Sequence, residues 1–212
     1  MSFVIPQPTS STFSLLTVCT GNICRSPLAA LYLRRGLSPL DDVTVSSAGT
    51  MAVDDDVMPE QARALARSFD LEPDEHRARF LFERDVRGSD LVIALAREHR
   101  RAVVSMHPRS SRYTFTLREA ARLARDVTDV QLADALPAGA STVTDRLRAT
   151  VALLASRRGS VEAPNDPLDD DVIDPYRRSD ETFAASGRQL VPAADTLVEL
   201  LTRAAALDGG DR

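Results

Sequence analysis

The sequence predicts an α/β fold with a parallel sheet covered on both faces. Two observations carry this reading: short β-favouring stretches recur at residues 13 to 18, 43 to 47, 91 to 95 and 112 to 115, the first and third of them apolar runs, and a helix-periodic segment follows each. Size supplies a third. A chain of 212 residues with 43% hydrophobic content can bury one substantial core, and no internal repeat or Gly-rich linker marks a second domain.

Residues 1 to 11, rich in Pro, Ser, Thr and Gln and without periodicity, are expected to form a flexible leader before a single domain spanning 12 to 207. The first strand, 13 to 18, runs into a Gly-containing turn and then a helix over 27 to 35. A second strand at 43 to 47 is closed by Gly49, and Pro59 suits the first turn of a helix over 59 to 69. The strand at 91 to 95 precedes a helix over 98 to 104, and 112 to 115 supplies the fourth strand.

From about 116 to 158 the pattern is strongly helical, with Leu117, Ala121, Leu123 and Ala124 in one stretch and Leu147, Val151 and Leu154 in another. Pro137 and Gly139 fall between them, which predicts a helical insert of two helices joined by a turn. Residues 161 to 179 read as an acidic, Pro-containing loop, and an amphipathic helix over 181 to 206 ends the domain.

Composition excludes several function classes. The net charge of -5 comes from 26 basic and 31 acidic residues that are interspersed, so no basic stretch is present to neutralise a nucleic-acid backbone. No apolar run approaches the ~20 residues that span a bilayer, and no charged segment followed by an apolar stretch and cleavage site opens the chain. Neither nucleic-acid binding nor membrane insertion is expected, and the expected location is cytoplasmic. The chain has 2 cysteines, Cys19 and Cys24, too close in sequence to staple distant parts of a fold. Their chemistry is therefore read as redox or nucleophilic.

The segment Cys19-Thr20-Gly21-Asn22-Ile23-Cys24-Arg25-Ser26 lies where a strand hands over to a helix, the place where backbone N–H groups can surround an anion. Amides and a helix N-terminus around a thiol favour its thiolate, which marks Cys19 as a nucleophile. Arg25 can bring a planar fork over the loop to hold two phosphate oxygens, a geometry that lysine cannot copy. Ser26 can donate a hydroxyl hydrogen bond to the sulfur, stabilising it before attack and as a leaving group afterwards. Thr20, Gly21, Asn22, Ile23 and Cys24 complete a cradle for phosphate or another oxyanion. For Cys24 two readings stay open, a disulfide with Cys19 under oxidation or a small residue filling the loop's underside.

Departure of an alkoxide or phenolate oxygen needs a proton donor, and Asp174 is the candidate within the acidic run. Pro175 stiffens its loop, and Tyr176 follows as a wall for an aromatic substrate. Asp171 is the reserve acid, whereas Asp169 and Asp170 read as solvated loop residues.

From Val18 to Pro27 the sequence closely resembles the signature loop of the low-molecular-weight protein tyrosine phosphatase family. The resemblance continues, in the same order, at Ser46-Ser47-Ala48-Gly49-Thr50, at His76-Arg77-Ala78-Arg79, at residues 89 to 94 and at Asp174-Pro175-Tyr176. It implies a Rossmann-like three-layer sandwich with a four-stranded parallel sheet, order 2-1-3-4, flanked by helices. It also implies a covalent cysteinyl-phosphate intermediate, no metal and no cofactor, with Asn22, Ser47 and His76 supporting the loop and Ser26. The partner implied is a phosphotyrosine-bearing protein, a bacterial tyrosine kinase being one candidate.

The chain departs from that pattern at the rim. Val53 stands where many members place a large aromatic residue, Arg177 where some have a second one, and the chain contains no Trp. A less aromatic, more cationic rim is expected to favour acidic phosphopeptides. Phosphoarginine phosphatases are the nearest competing reading, although they carry Thr where this chain has Ile23. Arsenate reductases of this fold need later cysteines, and none follows Cys24. From another class comes a catalytically weak phosphate-binding regulator, which would not need the acid. The absence of Gly-Lys-Ser/Thr and of Gly-x-Gly-x-x-Gly disfavours a nucleotide site.

Overall fold

The computed structural model describes residues 12–137 and 139–207. Its elements are β1 (Phe13–Cys19), α1 (Arg25–Gly36), β2 (Val43–Gly49), α2 (Glu60–Arg67), α3 (Glu83–Arg87), β3 (Leu91–Ala94), α4 (Arg97–Met106), β4 (Thr114–Thr116), α5 (Leu117–Ala124), α6 (Asp129–Asp134), α7 (Val143–Ser156) and α8 (Asp180–Ala205). The strands form one 4-stranded sheet in the order β2-β1-β3-β4, with all neighbours parallel. The expected α/β architecture and strand order are therefore present. The expected leader at 1 to 11 lies outside the described residues.

Alternation along β1 splits the core. Phe13, Leu15 and Cys19 belong to the large apolar cluster with α1, α5 and α8, while Leu16 and Val18 belong to a smaller one with Val86 of α3 and Val103 of α4. The central strands are buried on both faces, so β3 reads as a continuous apolar run, Leu91 to Ala94. Because Cys19 pairs in register with Gly49, the C-terminal ends of β1 and β2 deliver their loops side by side. In open α/β sheets that edge is where ligands bind.

Two short helices were not anticipated. The helix α3 has 5 residues and α6 has 6, each burying a single side chain, Val86 and Leu132 respectively. The expected pair of helices between 116 and 158 is thus three. The reason is a stop at Arg125 followed by a new start, where Thr128 Oγ1 accepts from Gln131 N at 3.2 Å and Gln131 Oε1 accepts from Thr128 N at 3.0 Å. These helices pack against α8, and Arg158 ties the end of α7 back to the sheet: it pairs with Glu119 at 2.7 Å and lies 4.1 Å from the Phe115 ring centroid. No helix among the described residues is long and apolar enough to cross a membrane.

The helix α1 opens at Arg25 instead of Pro27, so Pro27 is its third residue. The missing N–H costs nothing there, since the first-turn donors have no intrahelical partner.

Candidate active site

Cys19 ends β1 and Arg25 opens α1, so residues 19 to 25 bridge the strand end and the helix N-terminus. Asn22, at the loop's tip, has φ 53°, a left-handed conformation that Asn tolerates better than most residues. The turn brings Asn22 N to 3.3 Å from Cys19 Sγ and Ser26 Oγ to 2.9 Å from the same sulfur.

The direction of the Ser26 hydroxyl follows from its neighbours. Arg79 N donates to Asn22 Oδ1 at 3.0 Å, which fixes the amide, and Asn22 Nδ2 then donates to Ser26 Oγ at 2.9 Å. The Ser26 proton is left for the sulfur, because the alternative acceptor, the Ala48 carbonyl, lies 3.5 Å away. His76 Nε2 lies 2.7 Å from the Asn22 carbonyl, an acceptor only, so this nitrogen carries the proton. Burial holds His76 below the ordinary imidazole pKa, partly offset by that bond, with Arg34 and Arg77 lowering it further.

Ser47, expected beside these residues, makes no side-chain hydrogen bond that reaches the loop. It lies in a groove with His76, Arg34 and Arg79. Thr17 takes the supporting place, donating from Oγ1 to the Ser26 carbonyl at 2.8 Å. Thr17 lies two residues before Cys19 on the same face of β1, a placement visible in the strand period but masked by the apolar run around it. His99 is a second residue that sequence reading missed. Its Nε2 lies 2.9 Å from Thr20 Oγ1, and burial, with Arg25 nearby, pushes its pKa down to about 3. Two neutral imidazoles thus buttress the loop.

Arg25 is only 4% exposed and spans from the loop to the segment before α8. Its Nη1 donates to the Val172 carbonyl at 3.2 Å, and its Nη2 pairs with Asp174 Oδ2 at 2.9 Å. Tyr176 N donates to the other oxygen, Asp174 Oδ1, at 3.1 Å. Asp171 is anchored elsewhere: its carboxylate accepts Arg97 N at 2.7 Å and the Arg97 guanidinium at 3.1 Å. It holds the loop and is unavailable as the reserve acid. Asp170 is also no solvated residue, since it pairs with Arg122 at 3.0 Å.

Cys19, Thr20, Gly21, Ile23, Cys24 and Arg25 line a cavity of about 280 Å³ together with Met51, Val53, Asp56, Asp174 and Tyr176. That volume suits one phosphorylated side chain. Asn22 and Ser26 are buried behind it. Burial pushes the Cys24 thiol up to about 12, with the Cys19 and Asp174 charges adding, so Cys24 stays a neutral thiol. Both cysteines are free. A larger groove of about 480 Å³ lies between α5 and α8, lined by residues that include Arg118, Arg122 and Asp170. Among the described residues no group of three or more His, Cys, Asp or Glu side chains is placed to hold a metal.

Known proteins resemble this chain in sequence and fold. The model of the family described as low molecular weight phosphotyrosine protein phosphatase matches residues 14–159. The chain is 33% identical over 106 residues to the probable low molecular weight protein-tyrosine-phosphatase EpsP of Ralstonia solanacearum, covering 50% of this chain and 71% of that one. It is 32% identical over 107 residues to a protein-arginine-phosphatase of Geobacillus stearothermophilus, covering 50% and 70%. Among solved structures, the low molecular weight protein tyrosine phosphatase from T. tengcongensis superposes with a TM-score of 0.62 at 26% identity, covering 89% of this chain and 99% of that one. The family match stops before Asp174, whose placement rests on the geometry given above. With its phosphate loop, its sheet and the greater part of its length matched, this chain belongs to the low molecular weight phosphotyrosine protein phosphatase family.

Proposed function

We propose that the chain hydrolyses phosphotyrosine in proteins through a cysteinyl-phosphate intermediate, with Cys19 as nucleophile, Arg25 as phosphate clamp and Asp174 as general acid. One observation carries the reading: Cys19 Sγ, held by Ser26 Oγ at 2.9 Å, shares a cavity with Asp174, whose Oδ2 faces Arg25 at 2.9 Å. In the first step the sulfur attacks phosphorus, and the bond to the tyrosyl oxygen breaks as Asp174 protonates that oxygen. In the second, Asp174 takes a proton from water as the water oxygen displaces the sulfur, releasing inorganic phosphate. Ser26 stabilises the sulfur as nucleophile and as leaving group. Asn22 and His76 position that hydroxyl and the loop.

The protein partner on this reading is a phosphotyrosine-bearing protein, a bacterial tyrosine kinase being the candidate from sequence resemblance. Phosphoarginine is the second reading, supported by the arginine-phosphatase relative at nearly the same identity. Ile23 in the cavity wall is where the two differ, since the resemblance places Thr there in arginine-specific enzymes. The test is hydrolysis of p-nitrophenyl phosphate, phosphotyrosine peptides and phosphoarginine peptides in metal-free buffer by wild type, Cys19→Ser and Asp174→Ala. Near-complete loss is expected for the first variant. For the second, a loss of about 10²–10⁴-fold is expected that deepens as the leaving group worsens. Activity surviving in Cys19→Ser would remove the mechanism, and preference for phosphoarginine would replace the substrate.

A further inference from the structure

We infer that Phe80 and Phe82, continuous with Met51 and Val53, form a ledge that receives an apolar side chain flanking the phosphorylated residue of the substrate. The inference rests on the phosphatase reading and extends it from the phosphoryl group to the surrounding peptide.

The ledge arises from local strand geometry. Residues 78 to 82 run extended beside residues 49 to 56: Gly49 N donates to the Arg79 carbonyl at 3.0 Å, Leu81 N to the Gly49 carbonyl at 2.9 Å, and Asp55 N to the Ala78 carbonyl at 2.9 Å. With a two-residue period, Leu81 turns inward and is fully buried, whereas Phe80 and Phe82 turn outward. Their rings meet edge to face at 5.3 Å, and the Arg84 guanidinium lies 4.4 Å from the Phe82 ring centroid. Phe80 N is fixed further by Asp54 Oδ1 at 2.6 Å. The pair is therefore held in place before any partner arrives, which lowers the ordering entropy of binding.

Single exposed apolar residues need no explanation, but a cluster does. Met51 is 74% exposed, Val53 65%, Phe82 43% and Phe80 38%, and the segments carrying them are hydrogen-bonded to each other. Met51 and Val53 also line the catalytic cavity, so the ledge begins at its mouth. A peptide whose phosphorylated side chain enters the cavity must lay its neighbours on the rim.

Charge selects the occupant. Asp56 lines the cavity on this side, and Asp54 and Asp55 lie in the same turn. Arg177 belongs to the other wall, its guanidinium 5.0 Å from the Tyr176 ring centroid. The sequence predicts a more cationic rim favouring acidic phosphopeptides; on this side Asp54, Asp55 and Asp56 outnumber the ledge's own cation, Arg84 over Phe82, so an acidic flanking residue would meet net negative charge where an apolar one meets aromatic rings.

The experiment compares kcat/KM for phosphotyrosine peptides differing only in whether Leu or uncharged Gln flanks the phosphorylated residue, each normalised to p-nitrophenyl phosphate. Wild type is expected to favour the Leu peptide about tenfold, the range available to one apolar contact. Phe80→Ser/Phe82→Ser is expected to bring that ratio close to one. Equal use of both peptides by wild type overturns the ledge without any variant, as does a ratio that survives the double substitution. Sedimentation velocity runs in parallel: self-association abolished by the substitutions, with peptide preference unchanged, would give the surface to a second copy of the chain and overturn the inference. A wild type inactive on every phosphotyrosine substrate would instead remove the underlying phosphatase reading, and the ledge with it.

Discussion

Replacing Gly49 by Ala should disable the phosphate loop while leaving the fold assembled. Gly49 closes β2 opposite Cys19, and a methyl group there would lie 2.5 Å from the Thr20 carbonyl oxygen, 2.8 Å from Asn22 N and 2.8 Å from Ala52 Cβ. Two of the three are backbone atoms of the loop itself, so no side chain can swing aside to relieve them. Restoring ordinary contact requires the loop to retreat by roughly 0.5–1 Å, against bonds from Thr50 N to the Cys19 carbonyl and Met51 N to the Thr20 carbonyl, both 2.9 Å. Asn22 N, which donates to the Cys19 sulfur, the proposed nucleophile, is among the atoms displaced. A misplacement near 1 Å at a reacting centre costs about 10²-fold, and overpacking of this size costs about 1–3 kcal/mol of stability. We expect kcat for p-nitrophenyl phosphate to fall about a hundredfold, with Tm lower by roughly 2–4 °C per kcal/mol lost. Steady-state kinetics together with a thermal melt measure both quantities. A kcat within about threefold of wild type, with unchanged Tm, would refute the argument that loop position depends on this close approach.

Two further outcomes follow from the buttresses of the loop. His99, held near a pKa of about 3 against an ordinary 6.5, binds its proton more readily in the unfolded chain; its stabilising contribution is complete above about 6.5 and is lost as pH falls toward 3. Urea unfolding between pH 4 and 8 should show that acid-side slope, at most about 1.4 kcal/mol per pH unit, flattened in His99→Gln; identical slopes would contradict it. For the acid loop, Asp171→Asn removes the charged clamp to Arg97 and should lower kcat about tenfold on phenyl phosphate but less on p-nitrophenyl phosphate, as general acid–base effects of this kind allow. An equal loss on both substrates would mean that Asp171 does not act through Asp174.

What the sequence made legible was what short-range pattern encodes. The central strands β1 and β3 stood out as apolar runs because they are buried on both faces, β2 as an edge strand with exposed Thr44 and Ser46 and β4 as a short β-favouring piece, and the loop stood out because Cys19, Asn22, Arg25 and Ser26 lie within eight consecutive positions. The helices α3 and α6 were invisible because one buried side chain in five or six residues leaves no period to detect. Polar partners far apart in sequence were equally hidden. Asp171 meets Arg97 across 74 positions and Asp170 meets Arg122 across 48, so an acidic run that reads as solvated is half structural. Thr17 and Ser47 show the same limit within the sheet. Both are small hydroxyl residues near the motif, paired with each other across β1 and β2, and it is Thr17 whose hydroxyl reaches the Ser26 carbonyl.

On the proposed mechanism, Arg25 joins the clamp and the acid into one unit. A guanidinium offers five donors in a plane, and two of its nitrogens already engage the acid segment, through the Val172 carbonyl and Asp174 Oδ2. The remaining donors are enough for phosphoryl oxygens, so one buried side chain can hold substrate and acid loop in a common frame. A lysine ammonium lacks the plane and would have to choose between them. Tyr176 N holds Asp174 Oδ1, which leaves Oδ2 paired with Arg25. On the proposed mechanism this oxygen, once phosphoryl oxygens take up the Arg25 donors, would deliver a proton to the departing phenolate and later accept one from water. A single fixed carboxylate oxygen serving both steps is the simplest reading of a loop tied down on both sides of Val172, at Asp171 by Arg97 and at Ile173 N by Gln189 Oε1 at 2.8 Å.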